Sequence, residues 1–337
     1  MLQIINSKKK LNKLKFISDL ILIEIPYKLN LHNCINKISL LYIYQISSQN
    51  EFIIIFNHSE INSTLKIKDL DFIFTSAHKK YVLDKKNFLY ITSNIKNLID
   101  IKLLYYLNTN KELSLSKYIT SAHNFLNYKY PNYDKINTII PVYKHYEFCS
   151  KVKNRILRIL KSNSEHNEFY NNLMINNFYK IEKNGLYVDK KLFESKFGYS
   201  SRKYIDKNNL VYSNYNLLTT TGRPSNRFGG INYAALNKKD CTRKVFKSRF
   251  IKNGLLLEFD FESYHLRLIA DLIGYTFPKN IPAHTYMAKK YFNIKNPNDE
   301  QIKESKSISF QMLYGNIDKK YKNIQFLKKT EQFIDNL

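Results

Sequence analysis

Cysteine is scarce, and its spacing offers no pairing. Cys34, Cys149 and Cys241 lie far apart with no CxxC among them. Neither a zinc site nor a disulfide framework is indicated, and a reducing, cytoplasmic setting is expected. Long apolar runs are missing too. No stretch approaches the roughly 18 residues of a membrane span. The densest, Leu20–Ile25, has basic residues ahead of it but no small-residue cleavage site of a secretory signal. It reads as a buried strand. No basic amphipathic helix of the kind that lies on a membrane stands out. Acidic residues are the third shortage: 28 Asp and Glu face 54 Lys and Arg, a formal charge of +26. A codon bias toward A and T would raise Lys, Asn, Ile and Tyr, but it leaves Asp and Glu within reach and does not explain their scarcity. The excess favours a polyanionic partner, of which nucleic acid is the commonest, over a merely solvated basic surface.

What is present reads as an α/β (α+β) chain. Short β-rich runs at Leu20–Ile25, Ile38–Tyr44, Phe52–Phe56, Phe72–Thr75, Tyr81–Leu83 and Phe88–Ile91 are separated by turn residues. Asp100–Tyr106 and Tyr118–Phe125 read as helices, and Lys151–Lys161 as a basic one with apolar residues at helical spacing. Residues 1–150 therefore read as one domain and 151–337 as a second. A helix over Phe169–Lys183 is stopped by Asn184-Gly185. From Ser195 to Lys252 the chain is polar, with 13 Lys and Arg against two acids.

Two segments carry chemistry. In Gly254-Leu-Leu-Leu-Glu-Phe-Asp-Phe-Glu-Ser-Tyr-His-Leu-Arg-Leu-Ile-Ala270 an apolar strand, Leu255–Phe259, delivers Asp260 just ahead of an amphipathic helix. A carboxylate fixed at a strand end suits a Mg²⁺ ligand, because Mg²⁺ takes one or two carboxylates plus phosphate oxygens. The bland alternative is that Asp260 caps the helix beginning near Tyr264. Farther on, Lys303, Lys306, Phe310 and Tyr314 are spaced three, four and four apart on one helical face, and Gly315 ends that helix. Two cations followed by two rings could grip a nucleoside triphosphate. The alternative is an ordinary helix with its rings in the core and its lysines in water.

In this order the two segments resemble the first two of three catalytic motifs of family A DNA polymerases. The first is similar to the aspartate motif, here Asp260-Phe-Glu-Ser-Tyr-His-Leu-Arg267, and the second to the nucleotide-binding helix, here Lys306-Ser-Ile-Ser-Phe-Gln-Met-Leu-Tyr-Gly315. Between them Ala283-His284-Thr285 stands where the family has an Asp-Ile-His-Thr run. Upstream, Thr219-Thr-Thr-Gly-Arg-Pro-Ser225 resembles an element that contacts the primer–template duplex, and Tyr179-Lys-Ile-Glu-Lys-Asn-Gly-Leu-Tyr-Val-Asp189 a helix ending. The resemblance spans roughly 169–315. It implies an RNase H-like 3′–5′ exonuclease-type domain over 1–150, and a partial right-hand polymerase domain over 151–337 with reduced thumb, first part of the palm, and fingers. The implied activity is template-directed DNA synthesis, nucleotidyl transfer from dNTPs to a primer 3′-hydroxyl by two Mg²⁺ ions. The alternative is a non-catalytic DNA-binding remnant. Asp260 and the Phe261 carbonyl would hold metal, and Asp260, Lys306 and Tyr314 would be catalytic. Phe261, His265, Lys303, Lys306, Phe310 and Tyr314 would meet the nucleotide. Thr221, Arg223, Asn232, Arg243, Arg267 and His284 would meet the primer–template.

Departures shape further expectations. The family's ribonucleotide-excluding glutamate falls on His265, and Glu262 replaces a small polar residue and could add a carboxylate near the metals. Only about thirty residues separate Asp189 from Thr219, where the family inserts a long thumb; bacteriophage-type members have a similarly compact layout, so a phage gene in a bacterial host is expected. The third motif, with a His and a second Asp, does not follow the nucleotide helix up to Leu337, so the expected partners include a second polypeptide carrying the rest of the palm, unless the sequence is truncated. In the first domain Glu24 stands alone where the exonuclease has Asp-x-Glu; Asp84 and Asp100 resemble later parts loosely, and no Tyr-x-x-x-Asp follows. A scaffold without proofreading is expected.

Overall fold

An apolar run such as Leu20–Ile25, broken only by Glu24, needs cover on both faces, and the packing on the two faces of the sheet provides it. The computed structural model describes residues 2–28, 37–115, 136–162, 173–220, 222–226, 232–237, 240–250, 253–313 and 318–336. The chain divides into two compact units, Met1–Leu255 and Leu256–Leu337.

In the first unit, strands β1 (Leu2–Ile5), β2 (Leu20–Lys28), β3 (Lys37–Gln45), β4 (Glu51–Ile55), β5 (Lys80–Val82) and β6 (Leu98–Asp100) form one mixed sheet in the order β1-β4-β3-β2-β5-β6. Neighbours β2–β3 and β3–β4 are antiparallel, and β1–β4, β2–β5 and β5–β6 are parallel. Side chains alternate across β2: Leu20 and Leu22 enter a core with Phe74 and Phe88 on one face, while Ile21 and Ile23 meet Ile101, Cys149, Val152 and Ile156 on the other. The second of these layers rests on the helix Val142–Lys161.

Two expected strands are helical instead. Phe72–Thr75 falls in a one-turn helix, Asp71–Phe74, and Phe88–Ile91 begins inside α1 (Lys85–Leu89), whose N-cap Asp84 accepts from the Asn87 amide at 3.0 Å. Short apolar runs do not distinguish the two periods, and here the caps decide. Helix α2 (Ile101–Thr109) follows β6 directly. Its N-cap Asp100 accepts from the Leu103 amide and, through its other oxygen, from the Lys85 amide, both at 2.7 Å. The basic helix is longer than expected: α3 runs Val142–Lys161, so the junction expected at 150/151 lies inside it. Tyr118–Phe125 lies outside the described residues.

Helix α4 (Ile175–Asn184) ends at Gly185, whose φ of +63° and ψ of 172° suit glycine; a Cβ there would come within 2.8 Å of the Tyr212 ring. A small satellite core, Val188, Phe193, Val211 and Val245, gathers around α5 (Lys190–Phe197) and the paired strands β7 (Leu186–Tyr187) and β8 (Leu210–Val211).

Two polar clusters lie within this unit. One brings together Glu24, Asp84, Asp100 and Lys102. Lys102 Nζ lies 3.3 Å from Asp84 Oδ2. Burial lowers the Lys102 pKa, but Asp84, Asp100 and Glu24 outweigh it and leave it raised. The acids that matched an exonuclease only loosely do converge, around a lysine. Among the described residues no group of three or more His, Cys, Asp or Glu is arranged to hold a metal. The other cluster is a buried ion pair, Lys86–Glu182, at 2.5 Å. In the second unit, helices α6 (Tyr264–Leu272), α7 (Ala283–Phe292), α8 (Asp299–Leu313) and α9 (Gln325–Asp335) pack around Leu266, Met287, Met312 and Phe326. No helix among the described residues is long and apolar enough to cross a membrane.

Glu24 sets a pH dependence. Its Oε2 is buried with no hydrogen-bond partner among the described residues, and burial first, with Asp84 second among the raising influences, pushes its pKa up to about 8. An unfolded Glu titrates near 4.3. Between those values the native chain keeps a proton that the unfolded chain has released, so stability falls as pH rises through the window, by up to about 1.4 kcal/mol per pH unit from this group. Glu24→Gln, which mimics the neutral form, is expected to remove that loss. Urea unfolding at pH 5 and pH 8 checks it; an unchanged slope in the variant refutes the assignment.

Candidate active site

Strands exist only where a neighbour completes the ladder. Leu255–Phe259, expected as a buried strand, has none among the described residues. The segment from Gly254 to Phe261 has no regular structure, and Leu255, Leu257, Phe259 and Phe261 are 82, 73, 89 and 78% exposed. Its apolar content is real, but the ladder that would bury it is not supplied by the described residues.

Asp260 at the end of this segment is exposed and makes no hydrogen bond or ion pair among the described residues. It does not cap α6. The N-cap position belongs to Ser263, held in left-handed backbone at φ 52° and ψ 41°. Glu262, expected as an extra carboxylate for metal, is committed elsewhere. Its Oε1 accepts from the Ala283 amide at the start of α7 (3.0 Å), and its Oε2 accepts from Arg267 Nε (2.8 Å) and Nη2 (2.5 Å). A carboxylate at a helix N-terminus is favoured by the exposed amides there. Burial works against the Glu262 charge, but bonds from Ser263, Arg267 and Ala283 outweigh it and hold its pKa below the usual range. Glu262 thus ties α6 to α7, and Arg267 is its brace.

Helix α8 has two unlike faces. Ser305, Ser309 and Met312 are buried, while Lys303, Lys306 and Phe310 face outward. Ser305 Oγ donates to the His284 carbonyl (2.9 Å) and Ser309 Oγ lies 3.2 Å from Tyr291 Oη, so small hydroxyls bring α8 close against α7. Phe310 is 43% exposed, contrary to the reading in which its ring fills the core. It meets His265 of α6 at 6.1 Å and His284 of α7 at 6.4 Å between ring centroids. A chain of ring contacts therefore leads from Phe261, beside Asp260, through Tyr264 and His265 to Phe310. His284 lies within electrostatic reach of both Lys306 and Glu262. Burial, then Lys306, lowers its pKa, against Glu262, and its Nδ1 is buried without a partner among the described residues. Tyr314 lies outside the described residues.

Ring contacts thus join Phe261, through Tyr264 and His265, to Phe310 and on to His284, which lies within electrostatic reach of Lys306; Asp260 adjoins this set through its chain neighbour Phe261. For Mg²⁺ the fit is partial: Asp260 could serve one ion together with phosphate oxygens, but one carboxylate is too few for two ions. Of the expected duplex contacts, Arg267 and His284 belong to this unit and the rest to the first. Arg223 is exposed in the turn that follows Gly222, Arg243 Nε donates to the Leu236 carbonyl at 3.1 Å, Asn232 is exposed, and Thr221 lies outside the described residues.

Over 98% of this chain and 77% of the other, the fold matches the POL domain of Pol1 from M. smegmatis, solved in complex with DNA primer–template and dNTP, with a TM-score of 0.67 at 10% identity. The chain has the fold of a DNA polymerase domain. A second match, to Escherichia coli RNase D, has a TM-score of 0.30 at 8% identity over 58% of this chain and 53% of that one, and carries no weight. No family model and no curated sequence matches.

What the sequence reading missed is the use of Glu262 as a tie and the serine seam between α7 and α8. The seam was readable in retrospect, since Ser305, Ser309 and Met312 repeat at helical spacing opposite the lysines. Removing the Lys306 charge, as in Lys306→Gln, is expected to raise the His284 pKa. Imidazole NMR titration reads it directly, and an unshifted curve would place Lys306 outside the site.

Proposed function

We propose that the chain carries the nucleotide-gripping part of a family A-type, bacteriophage-like DNA polymerase, and that it transfers nucleotidyl groups from dNTPs to a primer 3′-hydroxyl, with pyrophosphate leaving, once a second carboxylate joins Asp260. The observation that supports this is the exposed Asp260, without a partner among the described residues, next in the chain to Phe261, whose ring leads through Tyr264 and His265 to Phe310 on the cationic, aromatic face of α8. A decayed DNA-binding remnant would have no use for an uncommitted carboxylate beside that face.

Each residue has its task in this reading. Lys306, with Lys303 one turn earlier, neutralises the triphosphate. Phe310 packs on the incoming nucleotide and His265 backs Phe310; Tyr314 belongs at the templating position. His284, kept neutral by burial and by Lys306, offers a ring nitrogen without adding charge. Arg267 holds Glu262, and so the angle between α6 and α7. Asp260 and the Phe261 carbonyl would hold Mg²⁺, which when bound would activate the attacking hydroxyl and stabilise the leaving pyrophosphate. Thr221, Arg223, Asn232 and Arg243 meet the primer–template. The sheet domain is an exonuclease-type scaffold without proofreading, since a lysine stands among its acids.

The second carboxylate comes, in this reading, on a strand that pairs with 255–261, whether from a separate polypeptide or from further residues of a longer one. Covering Leu255, Leu256, Leu257, Phe259 and Phe261 would contribute about 1.5–3 kcal/mol per side chain. The sum is on the scale of the ~4–15 kcal/mol that association costs, so docking is feasible but depends on pairing the backbone as well.

Primer extension tests the reading. The chain joined by its completing strand is expected to extend a primer, and Asp260→Asn to reduce extension at least about a thousandfold while leaving primer–template affinity within about twofold. Equal extension by the variant refutes the site. Affinity for primer–template is also expected to fall linearly with the logarithm of salt concentration, as phosphate contacts release counterions; a flat response would remove the basic segment 195–252 from the interface.

A further inference from the structure

The Lys86–Glu182 pair does more than join two helices of the first unit. Lys86 Nζ donates to Glu182 Oε1 (2.5 Å), to Asn214 Oδ1 (3.0 Å) and to the Tyr215 carbonyl. Glu182 accepts in turn from the Tyr215 amide (2.5 Å) and from Tyr90 Oη (3.2 Å). Lys86 and Tyr90 belong to the sheet domain, Glu182 to α4, and residues 214–215 to the chain after β8. Strand β9 (Tyr215–Asn216) pairs antiparallel with β10 (Ser225–Asn226), so the buried charges grip the base of a small hairpin. The Tyr215 ring is seated on Phe178 of α4 at 5.3 Å.

The hairpin is held a second time higher up. Tyr106 Oη of α2 donates to the Thr219 carbonyl at 2.7 Å. Thr219 in turn closes the turn: its carbonyl accepts from the Gly222 amide (2.9 Å), and its Oγ1 donates to the Arg223 carbonyl (2.7 Å). Gly222 has φ +69°, which a side chain would strain. Arg223 emerges exposed from this braced turn. Beneath lies a cleft of about 180 Å³ between Asp84, Asp100 and Lys102 on one side and Asn214, Tyr215 and Leu217 on the other. The acid-bearing cleft of the sheet domain is therefore lined by the hairpin strand.

We infer that the sheet domain acts as the socket that aims Arg223 at the primer–template, with Tyr106 and Lys86 as positioning residues. The inference rests on reading Arg223 as a duplex contact. Its physical basis is the cost of order: a short two-stranded hairpin is at best marginally stable alone, so the direction of Arg223 is set by whatever grips its strands. Here the grips are one hydroxyl on α2 and one buried ammonium on α1. The domain is thus retained for geometry, and truncating it would cost DNA affinity even though it cuts nothing.

A double-mutant cycle on the full chain tests this, read by fluorescence anisotropy with a labelled primer–template duplex. Tyr106→Phe deletes one hydroxyl at a half-buried site and is expected to weaken binding about three- to tenfold. Arg223→Ala is expected to weaken it at least as much and to lower the salt slope by about one. If Tyr106 acts through Arg223, the double variant binds no more weakly than Arg223→Ala alone. Additive losses overturn the inference, and so does a Tyr106→Phe variant that binds like the parent. If Arg223→Ala alone leaves binding intact, the duplex contact itself falls, a different failure. Lys86→Met adds a second check: faster amide exchange at 214–226 with β2 and β3 still protected supports the socket. Unchanged exchange, or loss of protection throughout the unit, overturns a specific role for Lys86.

Discussion

Glu182 cannot be buried alone. An acid on the inner face of α4, in step with Ile175 and Tyr179, would be prohibitively costly without a cation and donors to meet it. Lys86 and Tyr90 from α1 and its C-cap, and the Tyr215 amide from the hairpin, meet it from two distant stretches of chain. Burial raises the Glu182 pKa, with Lys86 and the hydrogen bonds opposing that rise; the arrangement works only if all partners arrive together. Replacing the pair with well-packed apolar side chains could leave such a chain equally stable. What apolar packing would not provide is the directionality by which one ammonium fixes a helix, a loop and a strand at once.

The second unit solves a different problem with the same kind of group. Glu262 is half-exposed and hydrogen-bonded to both an arginine and a helix start, so its charge is stabilised and its position fixed. That leaves Asp260, two residues earlier, as the carboxylate with nothing to do within the described residues. The contrast between the two acids, one committed and one idle, is what gives the segment its chemical sense. Likewise, Lys303 and Lys306 have no carboxylate partners on α8's outer face among the described residues, whereas its inner serines are matched to α7.

The sequence revealed the sheet and the helix carrying Lys306 because each has a periodicity that local residues determine. Leu20–Ile25 could be read as buried because Glu24 alone interrupts its apolar run, and α8 because cations and rings repeat at helical spacing. Phe72–Thr75 and Phe88–Ile91 misled because four apolar residues fit a strand or a helical turn equally, although Asp84 was there as a cap signal. Leu255–Phe259 misled for another reason: burial depends on a neighbour, and no local pattern reveals whether one is present. The Lys86–Glu182 pair was out of reach entirely, since its partners stand 96 residues apart and each alone looks like an ordinary surface charge.

The segment Leu255–Phe261 also bears on the life of the chain before any partner arrives. Seven residues rich in leucine and phenylalanine, free of proline and glycine and displayed without a ladder, match the composition from which intermolecular β-structure nucleates. Glu258 and Asp260 interrupt that run with like charge, and the chain's large positive excess keeps copies apart. The same acid that the proposed chemistry needs thus doubles as a gatekeeper against self-assembly. Neutralising it would add a greater tendency to precipitate to the loss of catalysis.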